Sequence, residues 1–277
     1  MIGQEKLIDN IHKEIDGRSF ARFSILAGQK GSGKKLLADD IASWLNSICY
    51  QLPDSKIDTI RKMIVDAYKL SSAMTYIIPD ADDMSVAAKN ALLKLMEEPP
   101  NKAYFIMTLQ DINNTLDTIK SRGRVYNMQP YTPEQLYNFY QSLFGKCNEE
   151  EKRLIESLCE TPGEVTQLYN CKPLEFYNYV MKVIDNISKV SGANAFKIAD
   201  KIAIKETDGG YDLKLFWKIF IDICNNKQKE LDKVADSSQY YQAVLITSYY
   251  LKQLKIKGIN RQGLMDMWIL DIRKEWM

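Results

Sequence analysis

Glycines at positions 28 and 33, followed at once by Lys34, stand at the spacing of a phosphate-binding loop in Gly28-Gln29-Lys30-Gly31-Ser32-Gly33-Lys34-Lys35. Such a loop works because glycines let backbone N–H groups converge on phosphate oxygens at a helix N-terminus. The lysine adds charge, and a Ser or Thr hydroxyl after it holds magnesium. Here the hydroxyl position is Lys35. An ammonium has three donors and no acceptor, so it cannot ligate a cation, and its charge opposes one nearby. A second chemical group is the carboxylate cluster Asp80, Asp82 and Asp83, and a third is the guanidinium of Arg122. Carboxylates beside a phosphate loop can hold a metal or orient water, and a permanently charged planar guanidinium can stabilise charge on a transferring phosphoryl group.

These residues need elements to position them. Phe23 to Ala27 reads as a strand and Lys34 to Leu45 as a helix with Leu37, Ala38, Ile41, Trp44 and Leu45 inward, so strand, glycine loop and helix occur in the required order. Upstream, Leu7, Ile8, Ile11 and Ile15 mark one face of a helix over Gln4 to Ile15. Tyr76-Ile77-Ile78 reads as a short buried strand, which sets the acidic cluster at a strand end, where open α/β sheets hold ligands. Ser85 is an N-cap for a helix with Ala88, Ala91, Leu92, Leu95 and Met96 inward, and Pro99-Pro100 stops it. A helix over Asp54 to Leu70, a strand from Ala103 to Thr108, a helix over Ile112 to Lys120 and a strand from Val125 to Met128 complete the alternation. The pattern predicts an α/β fold with a parallel sheet covered by helices on both faces.

Gln129-Pro130-Tyr131-Thr132-Pro133 ends that alternation, and beyond it only helical periodicity is found. Thr132 caps a helix from Pro133 to Leu143, a second covers about Glu149 to Leu158, and a third runs from Pro162 to near Asn170. Cys171-Lys172-Pro173 marks a second boundary. Helices then follow at about Leu174 to Val190, Asn194 to Ile204, Leu213 to Lys227, Ser238 to Leu254 and Asn260 to Trp276, with a turn at Asp208-Gly209-Gly210. Three domains are expected, over 1–130, 131–173 and 174–277. The Tyr- and Lys-rich stretch Tyr240 to Lys257 reads as a core side and a solvated side of one helix.

Composition excludes several classes. With 37 Lys and Arg against 36 Asp and Glu, no global field draws the chain onto nucleic acid, so any such contact is local or made by partners. No apolar run approaches the roughly 20 residues of a membrane span, and the N-terminus lacks a signal-peptide core, so a cytoplasmic location is expected. The five cysteines Cys49, Cys147, Cys159, Cys171 and Cys224 are odd in number with no CxxC pair, which supports neither a disulfide framework nor a thiolate zinc site. The single histidine, His12, reads as a helix residue without a chemical role.

The run Asn90 to Pro100, NALLKLMEEPP, closely resembles the segment after the Walker B strand in AAA+ clamp-loader subunits of bacterial DNA polymerase III. Ile2-Gly3-Gln4-Glu5 is similar to the segment that opens such modules near the adenine, and Ser121-Arg122-Gly123 resembles the family's Ser-Arg-Cys motif with Gly for Cys. The resemblance implies an AAA+ P-loop domain, a helical lid and an all-helical collar that joins subunits in a ring. Within the family the delta-prime subunit matches best, because three departures coincide. Lys35 replaces the hydroxyl, the Walker B acid pair falls on Pro79-Asp80, and the lid arginine position in TPGEV is Gly163. The resemblance therefore implies a subunit with little or no ATPase of its own that supplies Arg122 in trans to a neighbour's ATP. Arg124 is a fallback, and Thr108 and Gln110 lie near a polar sensor position.

Implied partners are gamma/tau-like motor and delta-like subunits, with the sliding clamp and primer-template DNA reached through the assembly. No cofactor is required and no zinc is expected, the interval Gln51 to Met74 being short and cysteine-free. Residual binding of ATP, ADP or phosphate at Gly28, Gly31, Gly33, Lys34 and Asp80 stays open against a loop that only packs. An active motor ATPase, the DNA-contacting clamp opener of the same ring and an unrelated helical scaffold are the competing readings.

Overall fold

The computed structural model describes residues 2–187, 189, 192–203, 212–231, 234–254, 256 and 258–276. They form two compact units, 1–143 with 160–164 and 144–159 with 165–277, where the sequence suggests three parts. The difference has a local cause. Helix α7, Glu149–Leu158, buries Leu154, Ile155 and Leu158 in the second unit rather than within a separate small bundle.

The first unit is built on a five-stranded, all-parallel sheet among the described residues, in the order β2-β3-β4-β1-β5. In chain order its elements are α1 (Glu5–Asp16), β1 (Phe23–Ala27), α2 (Lys34–Trp44), β2 (Ile48–Gln51), α3 (Ile57–Ala67), β3 (Met74–Ile78), α4 (Val86–Glu97), β4 (Ala103–Leu109), α5 (Asp117–Lys120), β5 (Arg124–Asn127) and α6 (Pro133–Phe144). Side chains alternate across the sheet. Phe23, Ile25, Ala27, Tyr76, Ile78, Phe105 and Met107 pack toward α3, α4 and α5, while Leu26, Ile77, Ile106 and Tyr126 pack toward α1 and α2. The expected parallel α/β sheet is therefore present, with both faces covered. His12 of α1 packs on Trp44 of α2, ring centroids 4.0 Å apart.

Three local readings differ. The sequence gives no strand at 48–51, yet β2 pairs with β3 at the sheet edge, where Ile48 and Tyr50 are exposed and no burial alternation marks the strand. The helix expected from Asp54 starts at Ile57, because the Asp54 carboxylate turns the chain by accepting from Lys56 N at 3.0 Å and Thr59 Oγ1 at 2.6 Å. The helix expected over Ile112 to Lys120 is a 3-10 turn, Ile112–Asn114, then extended backbone, then α5. Asp111 accepts from Asn113 N at 2.9 Å there, the competition with helix that short polar side chains offer. The caps fall where the sequence puts them. Ala88 N donates to Ser85 Oγ at 3.2 Å, and Gln135 N to Thr132 Oγ1 at 3.2 Å.

The second unit is helical, with α7, most of α8 (Pro162–Asn170), α9 (Pro173–Asn186), α10 (Gly192–Ala203), α11 (Leu213–Glu230), α12 (Val234–Gln253) and α13 (Arg261–Trp276). Trp268 is fully buried, with its ring edge-on to Phe220 at 4.9 Å and Phe216 at 5.6 Å. The turn expected at Asp208-Gly209-Gly210 lies outside the described residues. In the stretch from Tyr240, α12 turns Ala243, Thr247 and Tyr250 inward, and its outer side mixes exposed Gln242 and Lys252 with exposed Tyr241, Leu245 and Tyr249. No helix among the described residues is long and apolar enough to cross a membrane.

Candidate functional site

The registers Ala27↔Leu109, Ala27↔Asn127 and Ile78↔Met107 bring the carboxyl ends of β1, β3, β4 and β5 to one edge of the sheet. That edge holds Gly28, Asp80 and Thr108, so the sequence-derived phosphate loop, acid and polar sensor region are brought together, at the place where open α/β sheets put ligands. Gly31 has φ 83° and Gly33, the N-cap of α2, has φ 90°, a backbone region that glycine enters without a β-carbon penalty.

The loop is closed on itself. Lys34 Nζ donates to the carbonyl oxygens of Gly28 at 2.6 Å and Gln29 at 2.8 Å. Burial pushes the Lys34 ammonium down from the usual lysine range, with the charges of Asp80 and Asp82 opposing that shift. From outside, Tyr131 Oη donates to Ser32 O at 2.8 Å and Gly163 N to Gly31 O at 3.0 Å. A β-carbon on Gly163 would lie 2.7 Å from the Gly31 Cα, and one on Gly31 would lie 2.8 Å from Thr161 Oγ1. The position that the family resemblance assigns to a lid arginine is thus a close backbone contact with the loop, for which glycine is the fitting residue. Ser32 Oγ is buried inside the loop without a hydrogen-bond partner.

The acidic residues divide by role. Asp80, in the left-handed region at φ 47°, donates its N–H to Thr108 Oγ1 at 3.2 Å and sets its carboxylate 3.8 Å from Lys35 Nζ. Lys35 therefore places a cation where the motif ordinarily needs a cation ligand. Asp82 accepts from Gln110 N at 2.6 Å, Asp111 N at 3.2 Å and Asn114 Nδ2 at 3.1 Å. Burial alone would raise its pKa, but these hydrogen bonds to the charged form outweigh it and hold the carboxyl below its ordinary range. Asp82 and Lys89, whose Nζ donates to Asn114 O at 2.5 Å, together fix the loop after β4. At this edge Lys35 stands at the position of the motif's hydroxyl and buried Pro79 at that of the first Walker B carboxylate.

Arg122 lies apart from the loop, at the end of α5. Its Nε donates to Glu97 Oε1 at 3.1 Å, its Nη2 lies 2.9 Å from the same oxygen as an ion pair, its Nη1 donates to Thr118 O at 3.2 Å, and 39% of the side chain is exposed. Arg124 is engaged elsewhere, with Nη2 2.7 Å from Glu14 Oε1, and Glu14 also accepts from the Tyr126 hydroxyl. Sequence reading missed Glu97, Tyr131 and Thr161. Glu97 at least stands in the run NALLKLMEEPP, while the other two reach the site only through tertiary packing.

The parallel sheet, the glycine loop between β1 and α2 and the acid at the end of β3 define a P-loop module of the AAA+ class. Residues 53–132 match the family described as DNA polymerase III, delta subunit. The delta′ subunit of Bacillus subtilis is 24% identical over 72% of this chain and 65% of its own length, and that of Escherichia coli 33% identical over 28% of this chain and 24% of its own. The gamma subunit of Buchnera aphidicola from Schizaphis graminum is 25% identical over 53% of this chain and 48% of its own length, so the match spans about half of that relative. Among solved structures, a DNA polymerase III gamma subunit-related protein of Thermotoga maritima superposes with a TM-score of 0.55 at 17% identity, over 98% of this chain and all of that one. Thermotoga maritima RuvB, a Holliday junction branch migration motor, gives 0.50 at 18% identity over 66% of this chain and 64% of its own. Both share the fold. Over the matched segments the chain is thus similar to delta′, gamma and tau subunits of bacterial DNA polymerase III.

Proposed function

We propose that the chain is a delta′-type clamp-loader subunit with little or no ATPase of its own, which supports ring assembly and presents Arg122 to the ATP of a neighbouring motor subunit. The assembly opens a sliding clamp and loads it on primed DNA for replication. The observation that carries this reading is the closed loop. A triphosphate entering it must displace the Lys34 ammonium from two carbonyls, and each such charge-assisted bond is worth about 1.5–3 kcal/mol. Magnesium must also settle beside the Lys35 ammonium, which repels it. Arg122 supports the second half of the reading, because its exposed guanidinium lies outside this closed loop. A guanidinium is suited to the charge that spreads over a transferring phosphoryl group.

The competing reading is a gamma-type motor. It has in its favour the gamma relatives and the retained Gly28, Gly33 and Lys34. Calorimetric titration of ATP, with and without magnesium, into the isolated chain separates the two. The delta′ reading expects no magnesium-dependent binding and no turnover, and Arg122→Ala in the reconstituted assembly slows hydrolysis at the site it serves by about a hundredfold or more. Magnesium-dependent turnover by the isolated chain establishes the motor instead, and an unchanged rate with Arg122→Ala removes the in-trans role.

A further inference from the structure

α4 ends on Glu97, followed by Glu98 and two prolines. A carboxylate in the last turn faces the negative end of the helix dipole, so neither glutamate is there for the helix. Glu97 spends its Oε1 on Arg122, accepting from Nε at 3.1 Å with Nη2 2.9 Å away as an ion pair, while the Thr118 carbonyl takes Nη1 at 3.2 Å. Two of the guanidinium's five N–H donors make these hydrogen bonds, which leaves others for a ligand. The pair is exposed on both sides, at 39% and 54%, where an ion pair adds little stability. What it fixes is orientation, since the planar group is held from two sides, by a hydrogen bond and ion pair to Glu97 and by a hydrogen bond to the Thr118 carbonyl. A long arginine held this way gives up its rotamer freedom on folding rather than at each turnover.

Resting on the in-trans role proposed for Arg122, we infer that Glu97 is a positioning residue, which holds that guanidinium in the orientation from which it meets a triphosphate bound by a neighbouring subunit. The run EEPP then has a purpose beyond stopping α4. Its first carboxylate clamps the arginine, and its prolines fix where the helix that carries the carboxylate ends.

The test is a double-mutant cycle on the ATPase of the complex reconstituted with the clamp-loader subunits of the same genome. The variants are Glu97→Ala, Glu97→Gln, Arg122→Ala and the double variant, with incorporation checked by size exclusion and folding by thermal denaturation. Glu97→Ala should lower kcat about two- to fivefold, the change that an exposed ion pair's free energy sets, with KM for ATP unchanged. Glu97→Gln, which keeps an acceptor oxygen, should fall between Glu97→Ala and the unmodified chain. On the Arg122→Ala background Glu97→Ala should add nothing. If Arg122→Ala is slow but Glu97→Ala is unchanged, faster, or fully additive with it, the positioning role is overturned while the role of Arg122 stands. If Arg122→Ala itself leaves the rate unchanged, both fall.

Discussion

At the scale of single residues, the edge of the sheet shows how the same side-chain types are given different tasks by their hydrogen bonds. Asp80 and Asp82 are two positions apart, yet one faces Lys35 across 3.8 Å and the other is committed to two backbone N–H groups and the Asn114 amide. Asp82 makes a testable contribution to stability. Its folded pKa is lowered, so that contribution is complete above its unfolded value, near pH 4, and is lost as pH falls through the lower folded value. Asp82→Asn should cost about 1–3 kcal/mol at pH 7 and flatten the acid limb of stability against pH, as read by urea denaturation from pH 7 to pH 2. An acid limb as steep as that of the unmodified chain would show that Asp82 does not carry the effect.

At the scale of elements, packing decides where the periodic segments go. Among the hydrogen bonds that join α12 and α13, one short chain lies in a fully buried setting. Trp268 Nε1 donates to Thr247 Oγ1 at 3.0 Å, and that hydroxyl donates to Ala243 O at 2.7 Å. Both residues are fully buried, so Thr247→Val, similar in shape, leaves an indole N–H without a partner. A loss of about 1–3 kcal/mol is expected, measured by chemical denaturation followed through tryptophan fluorescence. The element readings that failed share one cause. β2 is short and exposed, and the turn at Ile112–Asn114 is set by Asp111 and Asp82. In neither does apolar periodicity carry the decision.

At the scale of the molecule, the outer side of α12 bears on assembly. Tyr241, Leu245 and Tyr249 recur at helical spacing with roughly half of each side chain exposed, and Met267 and Leu270 of α13 are exposed as well. Apolar side chains exposed at helical spacing form a stripe suited to contact with another surface. Under the proposed function that surface is a neighbouring subunit, joined through the collar that the family resemblance implies. Leu245→Asp should weaken incorporation into the reconstituted complex about 10- to 100-fold, the equivalent of one large apolar side chain, with the melting temperature of the isolated chain unchanged. Wild-type incorporation in a titrated pull-down would remove α12 from the interface.

Much of this protein is legible in its sequence because the deciding physics is local. The strand, glycine loop and helix from Phe23 to Trp44 follow from periodicity and from glycines at Gly31 and Gly33 that their positive φ requires. The capped helices after Ser85 and Thr132 follow from short-range hydrogen bonds. The replacement of a metal-ligating hydroxyl by Lys35 is a matter of residue chemistry alone. What only the tertiary structure decides depends on residues far apart in the chain. Gly163 meets Gly31, Tyr131 meets Ser32, and Glu97 meets Arg122. No periodicity or spacing encodes those pairs, since each exists only after the sheet has brought separate segments to one edge or one helix end beside another.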